Sequence, residues 1–301
     1  MPLLALEHML CPLEQYPLHR DGKTWRCSNN HCFDIAKQGY VNLLPVQNKK
    51  SLDPGDSQIM IQARRQFLDS GAYAPLAQAL ATTVADLCKG RNDLAILDAG
   101  CGEGYYLNTV CNSLLAAQAE LALTATGLDI SKWAVRAARI RNAGINGLVA
   151  SNRQIPLPDN SQDILLCTFG FPVFSEFQRV VKPGGHIIMV DPGPEHLIEL
   201  RQQIYDEIRR SPPASLAAGI NAQWQQSSET ALSFSTPILS AELFEQLLIM
   251  TPHLYRASRA GRERAAKLEQ RALTADVCIR VISHQTLVPD HIESGPVIAV
   301  I

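Results

Sequence analysis

From about residue 94 to residue 191, apolar runs bounded by turn residues alternate with segments whose apolar positions recur every three or four residues. That alternation predicts a parallel sheet with helices on both faces, an α/β fold. Strands are expected near 94–99, 122–128, 147–151, 163–168 and 186–191, and helices near 104–118, 131–142 and 173–180. Upstream, Ile59, Ile61, Ala63, Phe67 and Leu68 fall roughly along one face of a helix closed by Gly71, and a second helix runs from about Pro75 to Leu87. Downstream come a helix near 195–210, a Pro-, Ala-, Ser- and Gln-rich stretch at 211–228 that reads as a flexible insertion, and a strand at 231–238. A helix at 240–249, a basic helix near 258–272 and a strand at 275–283 follow, and the tail after His284 carries no motif. The first 45 residues lack helical periodicity yet hold three of the eight cysteines and three of the eight histidines. The chain therefore divides into a small module at 1–45, a helical linker at 46–90 and the sheet-bearing domain at 91–301.

The chemistry concentrates after the first strand, where Ile96-Leu-Asp-Ala-Gly-Cys-Gly-Glu-Gly-Tyr105 delivers an acid and three alternating glycines into a turn. Gly100, Gly102 and Gly104 can take positive φ and admit a ligand against bare backbone, and the free amides of the following helix point at it. A dinucleotide fold wants G-x-G-x-x-G. Here the third glycine comes one residue early and Tyr105 stands where Gly or Ala belongs. Asp98 suits a ligand with a cationic amino-acid end better than a pyrophosphate. The pattern D-x-G-x-G-x-G resembles motif I of the class I S-adenosylmethionine (SAM) methyltransferases. Asp129, ending the next apolar run, is a carboxylate placed to accept both ribose hydroxyls. Taken singly, Asp98 could equally be a turn cap and Asp129 a cap for the helix near Ser131.

Composition adds bounds. With 301 residues and 46% apolar content the chain can bury a real core, and a formal net charge of -2 supplies no global basic field for nucleic acid. Any RNA must be met by local patches. The opening Met-Pro-Leu-Leu-Ala-Leu has no basic leader, no stretch approaches bilayer-spanning length, and cysteines such as Cys111, Cys167 and Cys278 sit inside apolar runs. These features predict a cytoplasmic protein with reduced thiols and no membrane partner.

In the first module, Cys11-Pro-Leu-Glu14 and Cys27-Ser-Asn-Asn-His31 form two tight clusters separated by a hairpin-length segment, the spacing of a zinc module. A knuckle of the C-x-x-C type would put cysteine where Glu14 stands. Two readings stay open: Glu14 serves as a harder ligand, or the metal is lost and Leu13, Trp25 and Phe33 hold the module together. Cys32, His8 and His19 are further candidates for a fourth ligand.

Several segments together resemble the bacterial 23S ribosomal RNA guanine-N1-methyltransferases. They are Cys27-x-x-x-His31, Phe33-Asp-Ile-Ala-Lys-Gln-Gly-Tyr-Val-Asn-Leu-Leu-Pro45, Asp53-Pro-Gly-Asp-Ser57, Ala63-Arg-Arg-x-Phe-Leu68, Leu97 to Tyr106, and Pro192-Gly-Pro-Glu-His-Leu-Ile-Glu-Leu200. The resemblance covers roughly residues 10 to 283. It implies a Rossmann-like seven-stranded sheet, the two late strands forming its antiparallel edge, with a zinc-ribbon-like N-terminal module. It also implies transfer of a methyl group from SAM to a guanine N1 in a hairpin loop of 23S rRNA, and a homodimer. Residue by residue it implies Zn2+ on Cys11, Cys27 and His31 with Glu14 at the departing position, and SAM contacts through Tyr73, Gly102, Glu103 and His196.

Other expectations concern RNA and the proton. Arg64, Arg65, Lys49 and Lys50 are candidates for phosphate contacts, as is the helix bearing Arg256, Arg259, Arg262, Arg264, Lys267 and Arg271, although solvated faces explain both. Phe169 and Phe171 in Cys167-Thr-Phe-Gly-Phe-Pro172 could stack an extruded base, and Asp191 is a candidate acceptor for the N1 proton. A small-molecule methyltransferase and a non-catalytic SAM-binding RNA module are the alternatives.

Overall fold

The computed structural model describes residues 3–48, 51–208, 210, 213, 215–216, 219–251, 257–265 and 271–285. Four short strands open the chain: β1 (Met9–Leu10), β2 (Pro17–Asp21), β3 (Thr24–Arg26) and β4 (Cys32–Asp34). They pair antiparallel in chain order, with Trp25 opposite Phe33. β5 (Tyr40–Asn42) then leaves that sheet. α1 (Gln58–Asp69) starts where the Ser57 hydroxyl accepts from the Met60 N–H at 3.3 Å, and α2 (Ala74–Leu87) carries proline in its first turn.

The alternating region follows as β6 (Asp93–Ala99), α3 (Tyr105–Ala117), β7 (Ala122–Asp129), α4 (Lys132–Arg141), β8 (Asn146–Val149), β9 (Gln162–Thr168), α5 (Phe174–Val180) and β10 (Val181–Pro192). α6 (Ile198–Ile204), β11 (Trp224–Ser235), α7 (Ala241–Met250), α8 (Arg259–Ala265) and β12 (Thr274–His284) complete the described chain. The main sheet runs β11-β12-β10-β9-β6-β7-β8-β5. β5 to β10 pair parallel, and β12 lies antiparallel between β10 and β11. The seven strands of the expected sheet are present with their antiparallel edge, and β5 adds an eighth from the N-terminal segment. β6 has β7 on one side and β9 on the other, so the strand order reverses there. Ligands of open α/β sheets bind beyond the carboxyl ends at that reversal.

Some elements differ from the sequence expectation. The stretch read as an insertion to residue 228 already pairs from Trp224, because β11 is an edge strand whose exposed Gln225, Gln226 and Glu229 hide a regular ladder behind polar side chains. The helix expected at 195–210 shrinks to α6, its entry set by Leu197 at φ 52. Ile59 is 69% exposed, since it falls just outside the arc that buries Ile61, Ala63, Phe67 and Leu68.

Two cores cover the faces of the sheet. One packs α1, α2, α3 and α7 through Phe67, Leu76, Leu80, Leu107 and Phe244 against Ile96 and Ile188. The other joins Cys11, Trp25 and Cys27 of the small sheet to Leu97, Leu128 and Phe177. The metal-ligand candidates thus sit in apolar contact with the main domain. All eight cysteines are free thiols. No helix among the described residues is long and apolar enough to cross a membrane.

Candidate functional site

β6 and β7 end side by side, with Asp98 opposite Gly127 and Ala99 opposite Leu128. The turn that leaves β6 is pinned by two donations, from the N–H groups of Gly100 and Cys101 to the Leu128 carbonyl at 2.8 and 3.0 Å. Gly100 and Gly102 take φ of 101° and 53°, a region closed to most side chains, so the turn presents bare backbone. Gly104, at φ 81°, faces the other way: a Cβ there would lie 2.8 Å from Ala138 Cβ, so this glycine lets α3 close on α4 and is not a cavity wall. Beyond the strand ends opens a cavity of about 500 Å³, walled by Tyr73, Asp98, Gly100, Gly102, Asp129 and Phe169 among others.

The carboxylates around this cavity differ in their partners. Asp98 is 2% exposed, and its Oδ1 has no hydrogen-bond partner among the described residues. Burial first, then the charges of Asp129 and Glu103, pushes its carboxyl up to about 7. Asp129 accepts from the Gly102 N–H at 3.0 Å and the Ser131 N–H at 2.8 Å, one on each oxygen, leaving lone pairs for the cavity. Burial raises it, and those two amides pull it back. Glu103, also on the cavity wall, is 1% exposed, accepts from Nε of Arg141 at 2.6 Å and forms an ion pair with Nη2 at 2.6 Å. Burial pushes it upward and Arg141 opposes that shift.

Tyr73 sits at the start of α2, buried, with its hydroxyl 3.3 Å from His196 Nε2. His196 follows β10 and packs against the Phe169 ring, centroids 5.7 Å apart. Its two neighbours Tyr73 and Phe169 line the cavity, and His196 itself does not. Overhead, Arg64 of α1 bonds Asp56 at 2.6 Å, and a Cβ on Gly102 would lie 3.5 Å from its Nη1. The arrangement can receive a cation at Asp98, a pair of hydroxyls at Asp129 and an aromatic ring between apolar walls. That donor set fits SAM: a buried, unpartnered carboxylate oxygen is what an ammonium would satisfy.

The second group lies in the small sheet. Cys11 Sγ, Cys27 Sγ and His31 Nδ1 all fall within 4.8 Å of one another. The two sulfur atoms are 3.6 and 3.5 Å from Nδ1, and Glu14 Oε2 is 3.4 Å from it. With Zn–S about 2.3 Å and Zn–N or Zn–O about 2.0–2.2 Å, tetrahedral edges are about 3.5 Å for S···N and about 3.4 Å for N···O. The two S···N separations match those edges, and Glu14 meets the N···O edge to His31 while lying outside the group whose ligand atoms all fall within 4.8 Å of one another. Glu14 is in turn oriented by Asn29, whose Nδ2 donates to Oε2 at 2.7 Å. Cys32 is turned away, its Sγ 3.2 Å from the Asn30 carbonyl, and neither His8 nor His19 belongs to the cluster among the described residues.

The module touches the cavity rim through one loop. Gln154 Nε2 donates to the Pro12 carbonyl at 2.9 Å, and the Leu10 N–H donates to the Pro156 carbonyl at 3.0 Å. Asn152 and Arg153, just before them, line the cavity.

Several sequence expectations land elsewhere. Asp191 is held by Arg280 and does not line the cavity, so it is not placed to take a proton from a bound base. Arg64 points into the cavity, while Arg65 pairs with Asp69 at 3.5 Å on the helix surface. Lys49, Lys50, Arg256 and Lys267 lie outside the described residues. In the basic helix, Arg259 pairs with Glu263 at 2.9 Å and Arg264 with Asp206 at 2.8 Å. Arg141, Asn152 and Thr168 were not legible. A basic residue ending a helix and a lone polar residue at a strand end look like ordinary surface until folding buries them.

Comparison with known proteins agrees with this geometry. A zinc-ribbon family described as RlmA, N-terminal, matches residues 9–52, and the family described as methyltransferase domain matches residues 97–189. The "23S rRNA (guanine(748)-N(1))-methyltransferase" of Streptomyces fradiae is 36% identical over 197 residues, 65% of this chain and 67% of that protein. The "Putative 23S rRNA (guanine-N(1)-)-methyltransferase YxjB" of Bacillus subtilis (strain 168) is 30% identical over 276 residues, 90% of this chain and 95% of its own length. With a small sheet that clusters zinc ligands, a SAM-type glycine turn at the sheet's reversal point, and near full-length similarity of this kind, the chain belongs to the 23S rRNA (guanine-N1)-methyltransferase family.

Proposed function

We propose that the protein methylates N1 of a guanine in a hairpin loop of 23S rRNA, in the cytoplasm, using SAM. The reading divides the chain into an RNA-recognition module at 1–45, a helical segment at 46–90 and the methyltransferase domain at 91–301. One observation carries it: the metal-ligand module is bonded, through Gln154 and Pro156, to the loop that walls the glycine-turn cavity. On this reading the RNA-recognition module and the methyl-donor cavity meet at one loop.

When bound, SAM would supply a methyl carbon that the base's N1, after releasing its proton to water, takes as the carbon–sulfur bond breaks and its electrons return to sulfur. The protein's part is placement, and holding two reactants in attack geometry can supply much of the acceleration. Asp98 holds the amino group of the donor, Asp129 the ribose hydroxyls, and Gly100 and Gly102 let both approach the backbone. Tyr73, kept un-ionised by burial, packs beside them with His196 buttressing its hydroxyl. Gly104 seats the helix, and Arg141 anchors Glu103 of the cavity wall. Incubation with methyl-labelled SAM and unmodified 23S rRNA is expected to place label on RNA as N1-methylguanosine, with a new reverse-transcription stop. An unlabelled RNA refutes this function.

The same reading places zinc on Cys11, Glu14, Cys27 and His31. Protein purified without added metal is expected to contain one zinc per chain. Because Asn29 orients Glu14, Asn29→Ala should weaken zinc affinity about 10–100-fold, the usual effect of removing a partner that orients a ligand. Unchanged affinity, measured by competition with a chelator, removes Glu14 from the ligand set.

A further inference from the structure

The mouth of the cavity carries an aromatic side chain with no packing role. Phe169 and Phe171 lie in the loop after β9, both on the cavity wall. Phe169 is 39% exposed and spends one side against His196 at 5.7 Å. Phe171 is 88% exposed, a large apolar ring held in water. The loop that bears it is nevertheless tightly determined. Phe169 is held at φ 53°, a left-handed conformation unusual for a bulky residue, with its N–H donating to the Val190 carbonyl at 2.9 Å. A Cβ on Gly170 would lie 2.9 Å from Cys167 Sγ and 3.4 Å from the Ala99 carbonyl, so the loop presses on the end of β6. Asn152 bolts the arrangement: its Nδ2 donates to the Phe171 carbonyl at 3.2 Å and to the Ala99 carbonyl at 3.4 Å.

The surrounding polar atoms select a ligand class. Asn152 Oδ1 and Thr168 Oγ1 have no hydrogen-bond partner among the described residues, and both side chains line the same cavity. Arg153, exposed on the adjoining loop, adds a cation to the same cavity wall. An open aromatic face, unfilled acceptors and a flanking guanidinium suit an extruded nucleobase, its amino-bearing edge and its phosphate.

We propose that Phe171 is the shelf on which the target guanine stacks, and that Asn152 both fixes the shelf and accepts a hydrogen bond from the guanine 2-amino group. The assignment rests on the methyltransferase reading of this cavity and names the base subsite within it. Phe169, committed to His196, is the support beneath the loop. Stacking on an aromatic ring is worth enough that Phe171→Ala should weaken binding of the RNA hairpin roughly 5- to 150-fold, while Phe171→Trp retains it. SAM affinity, read by calorimetry, stays within a factor of two in both.

Single-turnover methylation of hairpins carrying guanosine or inosine at the target tests the amide. Wild type should prefer guanosine at least about tenfold, since inosine leaves the Asn152 acceptor unfilled. Asn152→Ala should abolish that preference, whereas Asn152→Asp, which keeps the acceptor but sets an oxygen against the Phe171 and Ala99 carbonyls, should keep the guanosine preference while weakening hairpin binding. If wild type labels the hairpin but Phe171→Ala binds and methylates it normally, the shelf is wrong and Phe171 serves some other contact. If the guanosine preference survives Asn152→Ala, the amide does not read the base. Failure of wild type to label any RNA refutes the function itself, a result distinct from either.

Discussion

Replacing Arg141 with alanine is expected to destabilise the fold by about 3–5 kcal/mol, because it strands a carboxylate that is 1% exposed. Glu103 accepts from Nε of Arg141 at 2.6 Å and forms an ion pair with Nη2 at the same distance, and Arg141 also pairs with Asp69 at 2.8 Å and covers the Tyr105 ring at 5.5 Å. One guanidinium therefore ties α1, the glycine turn and α4. Burial already raises Glu103, and without Arg141 it rises further, so the folded variant keeps a proton that the unfolded chain releases near pH 4.3. Native protons exceed unfolded protons in that window, so the deficit relative to wild type should widen as pH climbs from about 4 toward 8. Urea midpoints at two pH values measure it. The double variant Glu103→Gln with Arg141→Ala should recover part of the loss by removing the stranded charge. A deficit below about 1 kcal/mol at pH 8 would mean that water reaches Glu103.

Asp98→Asn should weaken SAM binding by about 2–5 kcal/mol, from roughly thirtyfold to a few thousandfold, as the loss of one member of a buried charge pair usually does. The amide keeps the shape but offers no charge to an ammonium. Wild type carries its own pH signature. With its carboxyl at about 7 in the cofactor-free pocket, Asp98 is protonated at pH 6 and must release that proton to meet a cation. Affinity should therefore fall about tenfold for each unit below pH 7 and level off above it. The same shift gives the opposite sign for stability of the cofactor-free protein. The folded state holds a proton that the unfolded chain loses near pH 3.9, so stability declines as pH rises from about 4 to 7. Calorimetry across pH 5.5 to 8.5 reads the binding slope, which the D98N variant should lack. A wild-type affinity independent of pH would remove Asp98 from contact with the ammonium.

Much of this site follows from short-range pattern. Three glycines alternating after an apolar run force a turn with left-handed residues, and an acid stands at the end of each of the two strands at the reversal, because both depend on neighbours in sequence. The pairing Cys11, Cys27 and His31 was also legible, since two clusters on adjacent hairpins must meet. What failed was anything set by partners far along the chain. Ile59 belongs to a helical apolar pattern, yet only packing decides which edge of that arc meets the core. β11 reads as an insertion because an edge strand bonds its neighbour with backbone while showing polar side chains to water.

The sequence by itself determined the alternating fold, the SAM-type turn and the metal-ligand candidates Cys11, Glu14, Cys27 and His31, since periodicity, glycine stereochemistry and ligand spacing are local properties. Tertiary structure decided the rest. It brought Glu14 to 3.4 Å from His31, turned Glu103 inward onto Arg141, set His196 behind Tyr73, and joined the metal module to the cavity rim through Gln154. Each of those contacts pairs residues through space, and the energies that fix them, burial and charge pairing, exist only once the two cores have closed over the sheet.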